Sequence, residues 1–278
     1  WIGNNRKRIS ATARRGSGGV GIFIRDELQA KYEISVLNND IEDILWIKVT
    51  SKADGANLLV CVCYLPPYGT SRPVDACTYF DHLMNQVSEY QGMGRLIIGG
   101  DFNSRCGSES DYIEGVDEIS ERDCIDDAEN IYCNYFMEFL ITCGLCMLNG
   151  RLGQNDFTCV SEKGKSVVDY ICIPQLQLTH HTDFRVLKVS DLATTFNLPL
   201  PNKLSQMPDH SFLVTNITVR DTVKIDNEEG SSTMKYNIKD IPNAFMNIHR
   251  EDVLTAIERI ENIILQQICS QIKKKNYE

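Results

Sequence analysis

The stretch LIIGGDFN at residues 96–103 decides the fold class, because an apolar run ends there in two glycines and two polar side chains. A short, fully apolar run is typical of a strand that is buried on both faces of a sheet. The glycines predict that this strand ends in a loop. Asp101 and Asn103 then stand where a buried strand ends, which makes this place a candidate functional site.

Further runs on both sides of that strand predict an α/β fold. Tyr79 to Tyr90 and Asn130 to Leu145 have apolar residues at helical spacing, which predicts two amphipathic helices. Strands are predicted at 22–24, 44–49, 58–64, 157–160, 167–173, 184–189 and 212–219. The strands at 157–160 and 167–173 are expected to form a hairpin. Many strands with a few intervening helices indicate an α/β sandwich of mixed sheets.

Residues 220–278 differ from the rest of the chain and predict a separate part. Residues 226–233 are polar and contain Gly and Ser, as linkers do. Beyond them isoleucines recur at three-to-four-residue steps up to Ile272, followed by three lysines, which predicts an amphipathic helix. We therefore expect a domain over 1–219 and a linker with a helix over 220–278. The apolar stripe of that helix packs on the domain or contacts a further domain.

Composition excludes several classes of protein. Of the 278 residues, 42% are hydrophobic and 24% charged, which excludes wholesale disorder. No apolar run reaches the roughly 18 residues that span a bilayer, and no apolar stretch follows the basic N-terminal residues as in a signal peptide. Eleven cysteines without a regular framework favour a reduced compartment. We expect an intracellular protein, nuclear or cytoplasmic, that is not secreted. The lone pair Cys143 and Cys146 is the weaker candidate for a metal site.

The formal net charge of −10 comes almost wholly from one segment. Residues 109–129 hold ten acids and one arginine, a net of −9, and all of residues 1–219 also sum to −9 (19 Lys and Arg against 28 Asp and Glu). The rest of the predicted domain is therefore neutral. We interpret the segment as a surface loop, because its spacing matches no EF-hand. Net charge thus neither requires nor excludes a polyanionic substrate.

Three acids and a histidine form the candidate site. Asp169 lies within the apolar stretch SVVDYI at 166–171 and needs a partner, since a buried carboxylate alone is costly. His210 is the natural partner, because an Asp–His pair orients the imidazole and raises its proton affinity. Asp101 and Asp209 add oxygens that suit a hard cation such as Mg²⁺. Such a set predicts metal-assisted hydrolysis of phosphoesters.

The order of these motifs resembles the endonuclease/exonuclease/phosphatase superfamily. The residues that carry the resemblance are GDFN at 100–103, SVVDY at 166–170 and DHS at 209–211, with GGVGIFI at 18–24, VCYLPP at 62–67 and FT at 157–158. Within the superfamily the chain is most similar to the apurinic-like endonuclease of non-LTR (LINE-type) retrotransposons. The resemblance implies a DNase I-like, four-layered α/β sandwich of two mixed sheets. It also implies DNA as substrate, Mg²⁺ or Mn²⁺ as cofactor, no membrane partner, and a reverse transcriptase domain downstream.

The resemblance also implies roles for single residues. Asp101 would orient and deprotonate the attacking water, Asn103 would hold the phosphate, and Tyr64 would contact the scissile phosphate. Asp169 would orient His210, whose imidazole would stabilise the charge that develops on phosphorus. The metal would lie beside Asp209 and Asp101, and Thr158 would contact the substrate. Read alone, Tyr64 and Thr158 could be ordinary strand residues and Asn103 a turn former.

The chain departs from the family pattern in two places. It starts at Trp1, after the position of the first strand–helix–strand unit, and no Gln-Glu that could supply the main metal-ligand Glu lies near its beginning. We therefore expect a truncated domain that is inactive or nearly so. Pro208 stands where the family usually has Ser. The alternatives are a small-molecule or lipid phosphatase or phosphodiesterase of the same superfamily, and a non-catalytic remnant.

Overall fold

A computed structural model of the chain describes residues 1–7, 18–70, 72, 74–199 and 208–218. These residues all belong to the first of two units, which runs from Trp1 to Thr222. The linker and helix expected over 220–278 lie outside the described residues, and the boundary after residue 219 stays a prediction. None of the helices in the described ranges has both the length and the apolarity to span a bilayer.

The described residues form an α/β structure whose centre is one mixed sheet of six strands. The helices are α1 (Asp26–Lys31), α2 (Ala76–Tyr90), α3 (Cys133–Thr142) and α4 (Val189–Thr195), with a 3-10 helix at Gln175–His180. The strands are β1 (Ile2–Asn4), β2 (Val20–Ile22), β3 (Tyr32–Asn38), β4 (Ile44–Ser51), β5 (Asn57–Tyr64), β6 (Arg95–Asp101), β7 (Leu145–Met147), β8 (Cys159–Ser161), β9 (Gly164–Ser166), β10 (Asp169–Pro174), β11 (His181–Leu187) and β12 (Phe212–Ile217). The central sheet has the order β3-β4-β5-β6-β10-β7, with β5 and β6 parallel and the other neighbours antiparallel.

The two predicted amphipathic helices cover one face of this sheet. Leu83 and Val87 of α2 and Phe136 and Leu140 of α3 are fully buried in one core with strands β4, β5 and β6. Spacing of apolar residues at three and four positions places them on one side of each helix. Gly100 allows β5 and β6 to approach at the strand end, since a Cβ there would lie 1.9 Å from the carbonyl oxygen of Cys63.

The other face of the sheet packs against two-stranded ribbons. The ribbon β11–β12 contributes Phe184 and Val186 to a second core, which also contains Ile171 and Ile173 of β10. The ribbon β1–β2 contacts β4 and β5. The α/β class and the DNase I-like arrangement are confirmed. In the described residues the second sheet consists of separate ribbons.

Several details of the predicted secondary structure need correction, among them the strand expected at 22–24, which lies at Val20–Ile22. The expected hairpin of 157–160 with 167–173 is wrong, because β8 pairs with β9 across the two-residue turn at Glu162 and Lys163. The strand β10 instead joins β6 and β7. The predicted second helix ends at Thr142, since Gly144 takes a left-handed conformation with φ +60, and Leu145 begins β7. The edge strand β3 was missed because Glu33 and Ser35 interrupt its apolar residues, so that it contains no continuous apolar run.

The acidic segment 109–129 is a loop, but it is not simply a solvated surface. Asp111 is fully buried against the equally buried Arg151, and its Oδ2 also accepts a hydrogen bond from the Met147 amide at 2.7 Å. Asp126 forms an ion pair with Arg105. Two of the ten acids therefore anchor the segment to the body of the domain, which the sequence did not indicate.

Candidate active site

The predicted site residues meet at one end of the central sheet because strand pairing aligns them. Tyr64 ends β5 opposite Asp101 of β6, and Asp101 lies opposite Asp169 of β10. Residues that are directly opposite on neighbouring antiparallel strands, such as Asp101 and Asp169, lie about 4.5–5.5 Å apart at Cβ. The backbone thus places a tyrosine and two carboxylates in a row across three strands.

Asp101 is held by Asn103, which lies two residues further along the chain. The Asn103 backbone amide donates to Asp101 Oδ1 at 2.9 Å, and its Nδ2 donates to Asp101 Oδ2 at 3.0 Å and to the Leu65 carbonyl at 2.8 Å. This geometry requires a left-handed backbone, φ 46, which asparagine tolerates better than most residues. Asn103 therefore orients Asp101, and its Oδ1 takes no part in these three bonds.

Asp169 pairs with His210, as the sequence predicts. His210 Nδ1 lies 3.0 Å from Asp169 Oδ1 and 2.9 Å from Oδ2. The Asp169 side chain is 13% exposed and that of His210 is 40% exposed, so the pair reaches from the core to the surface. The ring nitrogen that faces the carboxylate is thereby fixed, and Nε2 is the nitrogen that can act on another group.

Thr158 lies beneath the site and supports Asp169. Its side chain is fully buried, and its Oγ1 accepts hydrogen bonds from the amides of Val168 at 3.0 Å and Asp169 at 3.1 Å. The direct substrate contact expected for Thr158 does not fit a side chain with no exposed surface. A hydroxyl that takes two backbone amides instead fixes the turn into β10.

The charges of the site shift its pKa values in a consistent direction. Burial, with the charge of Asp169 as the second cause, raises the pKa of Asp101 to about 7. The hydrogen bond to Asp169 is the main cause that raises the pKa of His210 to about 9. Burial and the nearby Asp101 raise the pKa of Tyr64. Near neutral pH the site combines an imidazolium with a carboxyl that can exchange a proton.

Two groups of side chains in the described part of the chain can hold a metal ion, and they share His210. Donor atoms of Asp101, Asp169 and His210 lie within 4.8 Å of one another, and so do those of Cys159, Asp209 and His210. The first group fits a hard divalent cation, because two carboxylates that repel each other in a buried site gain from a cation between them. Asp209, which is exposed, belongs to the second group. Neither group contains a glutamate or the Cys143 and Cys146 thiols.

Sequence reasoning missed two residues near the site. The guanidinium carbon of Arg72 lies 5.8 Å from the centre of the Tyr64 ring, and Arg72 forms an ion pair with the buried Asp43. Cys159 lies opposite His210 in an isolated β-bridge. Neither stands in a recognisable motif, so only the folded structure could reveal them.

A profile of the endonuclease/exonuclease/phosphatase family matches residues 3–195, more than half of the chain. The chain belongs to this family. Members of the family generally depend on a divalent metal. The match ends before Asp209 and His210, so these two residues are assigned to the site by the geometry above. No curated protein matches the sequence.

Several solved structures of the family are similar to this chain. The endonuclease domain of TRAS1, a telomere-specific non-LTR retrotransposon, is 18% identical with a TM-score of 0.44, and the match covers 68% of this chain and 70% of that one. The 3′-5′ exonuclease NExo from Neisseria meningitidis is 16% identical with a TM-score of 0.40, over 69% of this chain and 82% of that one. The AP endonuclease of Leishmania major is 10% identical with a TM-score of 0.41, over 65% and 56%.

Proposed function

We propose that the chain is a metal-dependent phosphodiesterase of the retrotransposon endonuclease type, with DNA as substrate and Mg²⁺ or Mn²⁺ as cofactor. The observation that carries the proposal is the row of Tyr64, Asp101 and Asp169 with His210 on Asp169. A retrotransposon endonuclease is among the similar structures, and a 3′ phosphatase bound to a DNA hairpin is another. A downstream reverse transcriptase domain remains part of this proposal.

In this proposal Asp101 has a proton-transfer role and His210 an electrostatic role, and the geometry of the site supports both. With a pKa near 7, Asp101 takes a proton from water as that water attacks the phosphorus. The imidazolium of His210, oriented by Asp169, stabilises the negative charge that develops on the phosphate oxygens while the bond to the leaving oxygen breaks. Tyr64 and Asn103 would position the phosphate. A bound divalent cation, held by Asp101 and Asp169, would neutralise charge on the phosphate.

A polymeric substrate is favoured by the exposed hairpin next to the site. Its first strand, β8, is joined to the loop of His210 by the bridge at Cys159, and its far end carries Lys163 and Lys165. Lysines that contact backbone phosphates add affinity that falls steeply with salt. Replacing Lys163 and Lys165 with Gln should weaken DNA binding and reduce its salt dependence. A small ester should be hydrolysed equally well by both forms.

The test of the proposal compares two substrates. We expect the chain to nick supercoiled plasmid DNA in the presence of Mg²⁺ or Mn²⁺, and to release little phosphate from soluble phosphomonoesters. The rate should be low and should rise with the metal concentration, because two carboxylates bind Mg²⁺ weakly. Nicking by Asp101→Asn at the wild-type rate would overturn the assignment.

The alternative is hydrolysis of a small phosphoester. A cleft of about 340 Å³ opens beside Asp101 and Asp169, with Val62, Ile97 and Leu213 among its apolar walls. Such a cleft is at the small end of ligand sites. Phosphate release without nicking would establish this alternative. Neither reaction, together with no calorimetric signal for Mg²⁺ or Mn²⁺, would identify a non-catalytic remnant.

A further inference from the structure

The side chains of Cys159, Asp209 and His210 form a cluster next to the proposed catalytic row. Cys159 pairs with His210 in an antiparallel bridge. The Val160 amide donates to the Asp209 carbonyl at 2.7 Å, and the Ser211 amide donates to the Thr158 carbonyl at 2.7 Å. Three consecutive residues on each segment are thus joined by backbone contacts, and directly paired residues present their side chains on the same side. The cluster is held by backbone structure and does not depend on loop conformation alone.

The three donors are a thiol, a carboxylate and an imidazole, all within 4.8 Å of one another. Zinc binds such ligands at about 2.0–2.3 Å in a tetrahedron, which separates ligand atoms by roughly 3.3–3.8 Å. The donors lie within 4.8 Å of one another, so zinc binding would draw them in to that spacing. Magnesium does not favour a thiolate, so the cluster differs in metal preference from the oxygen-rich pair of Asp101 and Asp169.

A supporting contact comes from Asp169. Histidines that bind zinc usually donate their other ring N–H to a carboxylate, which fixes the tautomer and orients the ring. Asp169 holds His210 Nδ1 at 2.9 Å, so zinc would bind at Nε2 and displace the proton there. The cluster therefore has three side chains that can bind zinc directly, and the Asp169 carboxylate orients the histidine among them.

We propose that Cys159, Asp209 and His210 bind Zn²⁺, with a fourth position left for water. Because His210 belongs to both groups, zinc in this cluster takes His210 away from the phosphate. Zinc then inhibits Mg²⁺-dependent hydrolysis, a consequence that rests on the proposed function, whereas the binding itself does not.

The binding test uses calorimetric titration of the full chain with Zn²⁺ in the presence of excess Mg²⁺. Cys159→Ser should bind one zinc fewer, or bind it at least about tenfold more weakly. Cys77→Ser removes an exposed thiol on α2 and should bind zinc as the wild type does. Titration with Co²⁺ should produce thiolate-to-cobalt charge-transfer absorption in the wild type and in Cys77→Ser. Equal zinc stoichiometry and affinity in Cys159→Ser and the wild type would overturn the site.

The inhibition test measures nicking in Mg²⁺ with increasing Zn²⁺, each variant being compared with its own rate without zinc. The zinc concentration that halves the rate should be at least about tenfold higher for Cys159→Ser than for Cys77→Ser. If no variant nicks DNA, the proposed function fails, and calorimetry still decides the zinc site. Equal inhibition of the two variants would contradict the inhibitory role.

Discussion

The domain holds a fully buried carboxylate, Asp111, and two half-buried carboxylates, Asp101 and Asp169, and the difference between them separates structure from function. Asp111 is fully buried and is neutralised by the guanidinium of Arg151, which is also fully buried. Asp101 faces another carboxylate, Asp169, whose charged partner is His210, and among the described residues neither acid has an arginine or lysine partner. The Asp111 pair anchors the acidic segment. The carboxylates of Asp101 and Asp169 repel each other, and a proton or a bound cation reduces that repulsion.

This contrast predicts that neutralising Asp101 keeps or raises the stability of the fold, whereas breaking the Asp111 pair lowers it. Breaking a buried ion pair leaves an uncompensated charge in the core. Neutralising one of two carboxylates that repel each other removes an unfavourable interaction. Neighbouring carboxylates with shifted pKa values, like Asp101 and Asp169, are typical of functional sites, where activity often lowers the stability of the fold.

The largest effect on stability is expected from Arg151→Met. It leaves the buried Asp111 with Arg122 alone, whose Nε lies 3.9 Å from Oδ1, and should lower the free energy of unfolding by up to about 3–5 kcal/mol. Urea denaturation measures this difference. Arg25→Met breaks an exposed pair with Glu27 and should leave the stability unchanged, since exposed ion pairs contribute little. Comparable stabilities of the two variants would show that the Asp111 pair is no anchor.

A comparable effect, on activity, is expected when the Asp169–His210 pair is broken. Asp169→Ala and His210→Ala should each lower the single-turnover nicking rate by about 10²–10⁴-fold. The double variant should lose much less than the product, because the two residues act as one unit. His82→Ala on α2 is the control. Additive losses in the double variant would mean that the two residues act independently.

A smaller effect is expected in the pH dependence of the site. Asp101 must be deprotonated and His210 protonated, so the rate should rise as Asp101 loses its proton, at about pH 7 or lower because a bound cation lowers that pKa, and fall as His210 loses its proton near pH 9. Replacing Asp169 with Asn removes the charge that raises both pKa values, and both should move down. NMR titration of the His210 ring measures one of them directly. An unchanged His210 pKa in Asp169→Asn would refute the pairing.

The raised pKa of His210 also determines how the stability of the fold changes with pH. Folded His210 binds its proton more tightly than the unfolded chain, with a pKa of about 9 against about 6.5. The pair therefore stabilises the fold fully below pH 6.5, and this stabilisation is lost as the pH rises through about 9. Asp169→Asn should flatten the decrease in melting temperature between these pH values.

The smallest effect is expected at His181, which lies outside the site. Burial lowers its pKa to about 4, and its Nδ1 lies 3.2 Å from Thr215 Oγ1. Between pH 6.5 and 4 the unfolded chain binds the additional proton, so folding stability should fall as the pH falls. His181→Gln should remove a few degrees of this acid-induced decrease in melting temperature. If the melting temperature of the wild type and of His181→Gln decreased equally on acidification, the lowered pKa of His181 would be contradicted.

Sequence patterns predicted the parts of the fold that depend on local spacing. The helix at α2 and the strands at β4, β5 and β6 follow from apolar periodicity. The pairing of β10 with β6 could not be inferred that way, since a short apolar run does not specify its partner. The motifs GDFN and DHS identified Asp101 and His210, whereas Cys159 came to the site only through a backbone bridge between distant segments. Arg151 was missed because ion pairing across 40 residues leaves no local pattern.

The most direct test of the account measures nicking rate and melting temperature on the same preparation of Asp101→Asn. The asparagine keeps one oxygen, which can accept the Asn103 backbone amide, and it loses the acceptor for Asn103 Nδ2, which still donates to the Leu65 carbonyl. The account predicts a Mg²⁺-dependent nicking rate at least about 10²-fold below that of the wild type. It also predicts a melting temperature that is equal or higher, since the repulsion with Asp169 is gone. Retained nicking, or a loss of stability like that of Arg151→Met, would contradict it.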